Sequence, residues 1–137
     1  MNRMPFTLAS KLTICQQNLC KSLQAQSAFI SNTSGYDIVY IQEPYIDFLD
    51  NSQSSTIWKV VYPTRWTSSK DKVQAFVIIH PCLNTSSWYQ LEVNSADIVA
   101  ICINIQAGLV IVINIYNDQN HHNTLYKLSN FLIRLGD

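Results

Sequence analysis

Glycine is nearly absent from this chain of 137 residues; there are three, Gly35, Gly108 and Gly136. They lie too far apart to build G-x-G-x-x-G or Walker A loops, whose backbone N–H groups cradle phosphates. G-x-S-x-G, H-E-x-x-H and C-x-x-C-H are missing too, so hydride transfer, P-loop hydrolysis and serine-triad chemistry are disfavoured. The four cysteines, Cys15, Cys20, Cys82 and Cys102, show neither C-x-x-C nor the paired spacing of a zinc site. Cys15 and Cys102 sit in apolar runs and are expected as buried, reduced thiols. The sequons at Asn32 and Asn84 then carry no message. Charge is scarce as well, at 13% with a net value of zero, so no global attraction for nucleic acid exists. The one local basic group, Lys59, Arg65, Lys70 and Lys72, reads as a nucleic-acid contact or as a solvated loop flank. With 47% hydrophobic residues, so little charge means that the fold covers itself or leaves a sheet face bare for self-association. No apolar run reaches the roughly 18 residues of a membrane span, and no export segment opens the chain. The expected compartment is intracellular, cytoplasmic or nuclear, without membrane.

What is present is a pattern of strands with two helices. Residues 11–17, with Leu12, Thr13, Ile14 and Cys15, read as a first strand. Leu19, Leu23, Phe29 and Ile30 recur at helical spacing, which predicts a helix over 19–30 that stops near Asn32 to Gly35. Ile38-Val39-Tyr40-Ile41 is an unbroken apolar run, as in a strand covered on both faces. Pro44 ends it, and a polar loop follows over 47–56. Residues 58–62, 73–79 and 88–93 are β-prone, and 98–105 and 109–116 are the strongest strands, joined through Gln106-Ala107-Gly108. Leu125, Leu128, Phe131 and Leu132 share one stripe of a helix over 124–134, capped by Asn123 or Thr124. The order β-α-β, then consecutive strands, then a helix predicts an α/β fold with a mixed sheet under helical cover. The final helix is followed by no returning strand, so the sequence reads as the N-terminal half of a larger layered domain: residues 1–10 an extension, 11–137 the incomplete domain.

Three polar points fall at strand ends, where α/β folds place function: Asn18, Glu43 and Tyr116. Glu43 follows a buried strand, is pinned by Pro44, and is one of two glutamates in the chain. It reads as a Mg²⁺ ligand or as an exposed loop carboxylate. Asn18 reads as a second oxygen ligand or as a helix N-cap. One carboxylate and one carboxamide suit Mg²⁺ and are too few for zinc. Tyr116 reads as a hydroxyl donor to phosphate or as core edge. Asp118 fits a turn or a second carboxylate. His121 and His122 are adjacent and point apart, and His80 has no visible partner.

Cys15-Gln16-Gln17-Asn18, then Tyr36-Asp37-Ile38-Val39-Tyr40-Ile41-Gln42-Glu43-Pro44-Tyr45, resembles the opening of endonuclease/exonuclease/phosphatase domains. The version at the start of fungal non-LTR retrotransposon polyproteins is most similar. Trp58-Lys59-Val60-Val61-Tyr62-Pro63-Thr64 and Asn114-Ile115-Tyr116-Asn117-Asp118 resemble later blocks of it, so the resemblance spans roughly residues 11–134. It implies a DNase I-like, four-layer α/β sandwich with two mixed sheets face to face, here only in part. It implies a hydrolase that nicks target DNA with Mg²⁺, or Mn²⁺ in its place, to prime reverse transcription. On these blocks Asn18 and Glu43 match metal-site residues and Tyr116 the phosphate-holding tyrosine.

The resemblance breaks off where a strand bearing Gly-Asp-x-Asn and a final Asp-His pair should follow; Gly136-Asp137 matches the first only superficially. The expectation is therefore a remnant of a metal-dependent DNA endonuclease, inactive by itself, with DNA as partner of the intact parent. A phosphatase of the same superfamily and a non-catalytic interaction module are the competing readings.

Overall fold

The computed structural model describes residues 8–32, 35–45, 58–64, 73–117 and 123–136. Its elements are β1 (Ile14–Asn18), α1 (Leu23–Ser31), β2 (Ile38–Gln42), β3 (Lys59–Val61), β4 (Ala75–Ile79), β5 (Trp88–Leu91), β6 (Ile98–Ile105), β7 (Gly108–Ile115) and α2 (Asn123–Leu135). They form two sheets, one ordered β1-β2-β4-β3 and the other β5-β6-β7. In the first, β1 and β2 are parallel and the remaining pairs antiparallel. The three described strands of the second are antiparallel.

Side-chain alternation sorts the apolar residues into three layers of core. Ile38, Val77 and Ile79 of the first sheet meet Val99, Ile101, Ile103 and Val112 of the second, so the sheets face one another. The alternate residues Val39, Ile41, Phe76 and Ile78 pack with Leu19 and Ile30 on the α1 side. Ile98 and Ala100 pack with Phe131 of α2. The run Ile38 to Ile41 is apolar throughout because both of its faces are covered, one by a sheet and one by a helix. Each fully buried Ile or Phe contributes roughly 1.5–3 kcal/mol of transfer free energy. The molecule is thus a mixed α/β fold of two sheets with helical cover.

The helix expected over 19–30 begins four residues later. Leu19 is buried against the first sheet, but Cys20 and Lys21 take φ values of 50° and 58°, which no α-helix accommodates. Ser22 is the N-cap, and its Oγ accepts from the Ala25 N–H at 3.1 Å. β1 likewise begins at Ile14 instead of residue 11. The last helix opens at Asn123, and Thr124 lies inside it, its hydroxyl donating to Asp97 Oδ2 at 2.9 Å instead of capping. The β6–β7 connection is Gln106-Ala107, and Gly108, with φ 129°, opens β7. Among the described residues no helix is long and apolar enough to cross a membrane.

Candidate active site

Because β1 and β2 are parallel, their C-terminal ends share one rim, with Asn18 in register with Gln42. Three backbone hydrogen bonds lock the chain there. Leu19 N–H donates to Gln42 O at 2.9 Å, Lys21 N–H to Glu43 O at 2.8 Å, and Glu43 N–H to Gln74 O at 2.8 Å. Among the described residues, the non-glycine residues with positive φ are Cys20, Lys21 and Glu43 (φ 49°). All three belong to this rim. A left-handed L-residue costs roughly 1–2 kcal/mol, and such strain concentrates where geometry is held for function. Glu43 bears it directly before Pro44. Gln26 of α1, fully buried, accepts the Tyr45 N–H at 2.8 Å through Oε1 and so fixes the segment beyond.

Tyr116 comes from the other sheet. Its N–H donates to Asp97 O at 2.9 Å, and its hydroxyl donates to Glu43 Oε1 at 2.8 Å. Two cross-sheet clamps make that meeting possible. Asn114, 1% exposed, projects inward and donates through Nδ2 to Ile41 O at 3.1 Å and Phe76 O at 2.9 Å. In return Gln42 Nε2 donates to Ile115 O. β2 and β7 are thereby pinned one residue short of Glu43 and Tyr116. Among the described residues Asn114 Oδ1 is buried without a hydrogen-bond partner, a cost of roughly 1–3 kcal/mol. Sequence reasoning assigned no role to Asn114, Gln42 or Gln26. The signal for Asn114 was its phase: it shares the inward face with Val110 and Val112, where an amide is out of place in a core strand.

Asn18 lies exposed on the same rim, and its Oδ1 accepts the Cys20 N–H at 2.9 Å. That bond starts the tight turn, so the N-cap reading of Asn18 is corrected in favour of Ser22. One carbonyl lone pair is used, and among the described residues no hydrogen bond reaches the other. Asn18 and Glu43 are therefore at one edge on neighbouring strands, with Tyr116 joined to Glu43.

The other candidates lie elsewhere. Lys59 pairs with Ile79, which pairs with Ile38, so it marks the opposite edge of the first sheet. His80 follows on that edge, edge-on to Trp58 at 5.0 Å, with Nδ1 accepting the Cys82 N–H at 3.0 Å; it is not without partners. Cys102 is buried and Cys15 only half-buried, while Cys20 and Cys82 are exposed, and all four are free. Arg65, Lys70, Lys72, Asp118, His121, His122 and Asp137 lie outside the described residues. Among the described residues no group of three or more His, Cys, Asp or Glu side chains is placed to hold a metal.

No family model matches the chain, and no curated protein does. Among solved structures it is similar to the endonuclease domain of TRAS1, a telomere-specific non-LTR retrotransposon, with a TM-score of 0.64 and 18% identity. The match covers 91% of this chain and 54% of that one. At that identity the likeness is one of fold, and this chain spans about half the length of the solved domain.

Proposed function

We propose that the chain is the N-terminal part of a divalent-metal-dependent DNA endonuclease with the four-layer DNase I-like sandwich. The carrying observation is the hydrogen bond from Tyr116 to Glu43 at the rim that Asn18 shares. It joins across two sheets the residues that the sequence blocks assign to metal and phosphate. The likeness to a retrotransposon endonuclease domain supports the fold that this reading needs.

The donor set fits Mg²⁺. Both side chains offer oxygen only, and the ion commonly takes one or two carboxylates with water and phosphate completing its shell. Tyr116 occupies Glu43 Oε1, and among the described residues no hydrogen bond reaches Oε2. Glu43 and Asn18 would hold the ion, which when bound supplies charge neutralisation on the phosphate. Mn²⁺ suits the same oxygens.

The chain's own residues then divide the work. The bond to Gln74 holds the Glu43 backbone and the Tyr116 hydroxyl holds its carboxylate before phosphate arrives. Tyr116, once a phosphate oxygen competes with Glu43 for its proton, donates to that oxygen and orients the phosphodiester. Asn114 and Gln42 hold the two strand ends in step. The water-orienting Gly-Asp-x-Asn and Asp-His blocks of the resembled family are not matched in these 137 residues. The proposal is therefore binding without turnover by these 137 residues, general acid–base groups being worth roughly 10²–10⁴ in rate.

A DNA-binding titration with and without Mg²⁺ tests this. Mg²⁺ should raise affinity in the parent chain, Glu43→Gln should abolish that increment, and Tyr116→Phe should weaken binding to phosphodiester. A Glu43→Gln chain that keeps the whole increment removes the metal role. Equal affinity for a phosphomonoester and for DNA would favour the phosphatase reading.

A further inference from the structure

Away from the Glu43 rim, a cavity of about 290 Å³ opens where the chain leaves β4 of the first sheet for β5 of the second. Ile79 is the register partner of both Lys59 and Ile38, so the cavity sits at the end of β2 opposite Gln42. Four residue steps of roughly 3.3 Å put about 13 Å between the two ends. β3 and β5 close the two sheet orders on one side, with β4 set against β6 and β2 against β7. In the fold proposed above, the strand that follows α2 joins the second sheet beyond β7. The cavity lies at the other margin, so that strand does not cover it.

The polar part of its wall offers donors and no carboxylate. Lys59 is an exposed ammonium with no ion pair among the described residues. His80 Nδ1 already accepts the Cys82 N–H at 3.0 Å, so the neutral ring presents only its Nε2–H. Asn84 uses its acceptors within the turn. Its Oδ1 takes the Ser86 N–H at 2.8 Å, and its carbonyl takes the Ser87 N–H and hydroxyl. The Thr85 hydroxyl makes no hydrogen bond among the described residues. Nε1 of Trp88, another lining residue, is buried without an acceptor among them. Asp37, whose carbonyl accepts the His80 N–H, is not a lining residue. Its carboxylate oxygens are taken by the Thr13 N–H at 2.9 Å and the Cys82 thiol at 3.3 Å. The rest of the wall is apolar, from Ile79, Pro81, Leu83 and the Trp88 ring.

We infer that this cavity binds a small aromatic monocarboxylate. One ammonium matches one negative charge, whereas a phosphate dianion would bring a second charge with no counter-charge beside it. The hydroxyl, amide and imidazole donors suit carboxylate oxygens, which together accept about four hydrogen bonds. The apolar wall and the Trp88 ring suit an aromatic body. The volume falls at the small end of the roughly 300–1,000 Å³ of ligand pockets, too small for a nucleotide or a peptide. None of these residues belongs to the Glu43 rim, so the site stands apart from the endonuclease reading.

Amide NMR of the full chain titrated with benzoate tests this. Signals of Lys59, His80, Thr85 and Trp88 should shift and saturate below about 10 mM, while those of Asn18 and Glu43 remain unmoved. Benzyl alcohol, which keeps the ring and lacks the charge, should bind at least about tenfold more weakly. Benzoate should lose about as much affinity for Lys59→Met, which removes the ammonium from an exposed side chain. No saturation, shifts centred elsewhere, or benzyl alcohol binding as tightly as benzoate would each overturn the inference. So would inorganic phosphate that binds as tightly as benzoate, or a Lys59→Met chain of undiminished affinity.

Discussion

Replacing Asn114 with leucine separates what this residue does for stability from what it does for the site. Its Nδ2 makes two hydrogen bonds, to Ile41 O and Phe76 O. At roughly 0.5–1.5 kcal/mol each they contribute about 1–3 kcal/mol. Both carbonyls stay satisfied without it, because Ile41 and Phe76 are register partners in a bonding pair of β2 and β4, as the Glu43-to-Gln74 bond beside them requires. Against that gain stands the orphaned Oδ1, also worth about 1–3 kcal/mol. The terms cancel, and a leucine of similar volume adds apolar contact with Val112 and its neighbours. Asn114→Leu is therefore expected to unfold in urea within about 1.5 kcal/mol of the parent. The strand ends, however, lose a clamp. Tyr116 ring signals in NMR should shift toward those seen in Glu43→Gln, where the Tyr116 partner is altered. A loss of more than about 3 kcal/mol, or an unmoved Tyr116 ring, would refute the view that Asn114 is kept for position.

Two further outcomes follow from the local geometry. Ser22→Ala should cost about 1 kcal/mol in denaturant unfolding, as loss of an N-cap does. Asn18→Ala should leave α1 helicity by circular dichroism unchanged, and a larger helix loss from Asn18→Ala than from Ser22→Ala would reverse the assignment of the cap. Burial pushes the Tyr40 hydroxyl up to about 12 from its ordinary value near 10. A raised acid keeps its proton longer in the folded state, so its contribution is intact below pH 10 and is lost as pH rises from 10 toward 12. Alkaline melts should show that decline, and Tyr40→Phe should flatten it; an unchanged slope in Tyr40→Phe would place its origin elsewhere.

The sequence disclosed the rim better than the layers. Ile38 to Ile41 is apolar at every position, and only a strand covered on both sides uses such a run, so the placement of Glu43 at its end was legible. Parallel pairing with β1 followed from the short helix between the two strands. The start of that helix was not legible, because Leu19 fits the helical stripe by spacing, yet it is buried as a strand-end plug while Cys20 and Lys21 turn left-handed. The partition into two sheets was implied by the family resemblance and not by strand patterns. Strand patterns tell which residues alternate, and here β4 and β6 alternate toward each other across a shared core instead of pairing edge to edge. Gln26 carries no signal in the helical pattern, and only tertiary contact reveals that it is buried and bound to the Tyr45 N–H. The fold-level neighbour agrees with the layered reading, whereas the roles proposed for Glu43, Asn18 and Tyr116 rest on the sequence blocks and on the Tyr116-to-Glu43 bond.

Mn²⁺ titration followed by amide NMR tests the proposed cation site of Asn18 and Glu43 most directly, since the ion broadens only nearby signals. Broadening that begins at Asn18, Leu19 and Glu43, spares Lys59 and Ile79 on the opposite edge, and disappears in Glu43→Gln is the result expected. Broadening centred anywhere else, or unchanged in Glu43→Gln, would contradict it.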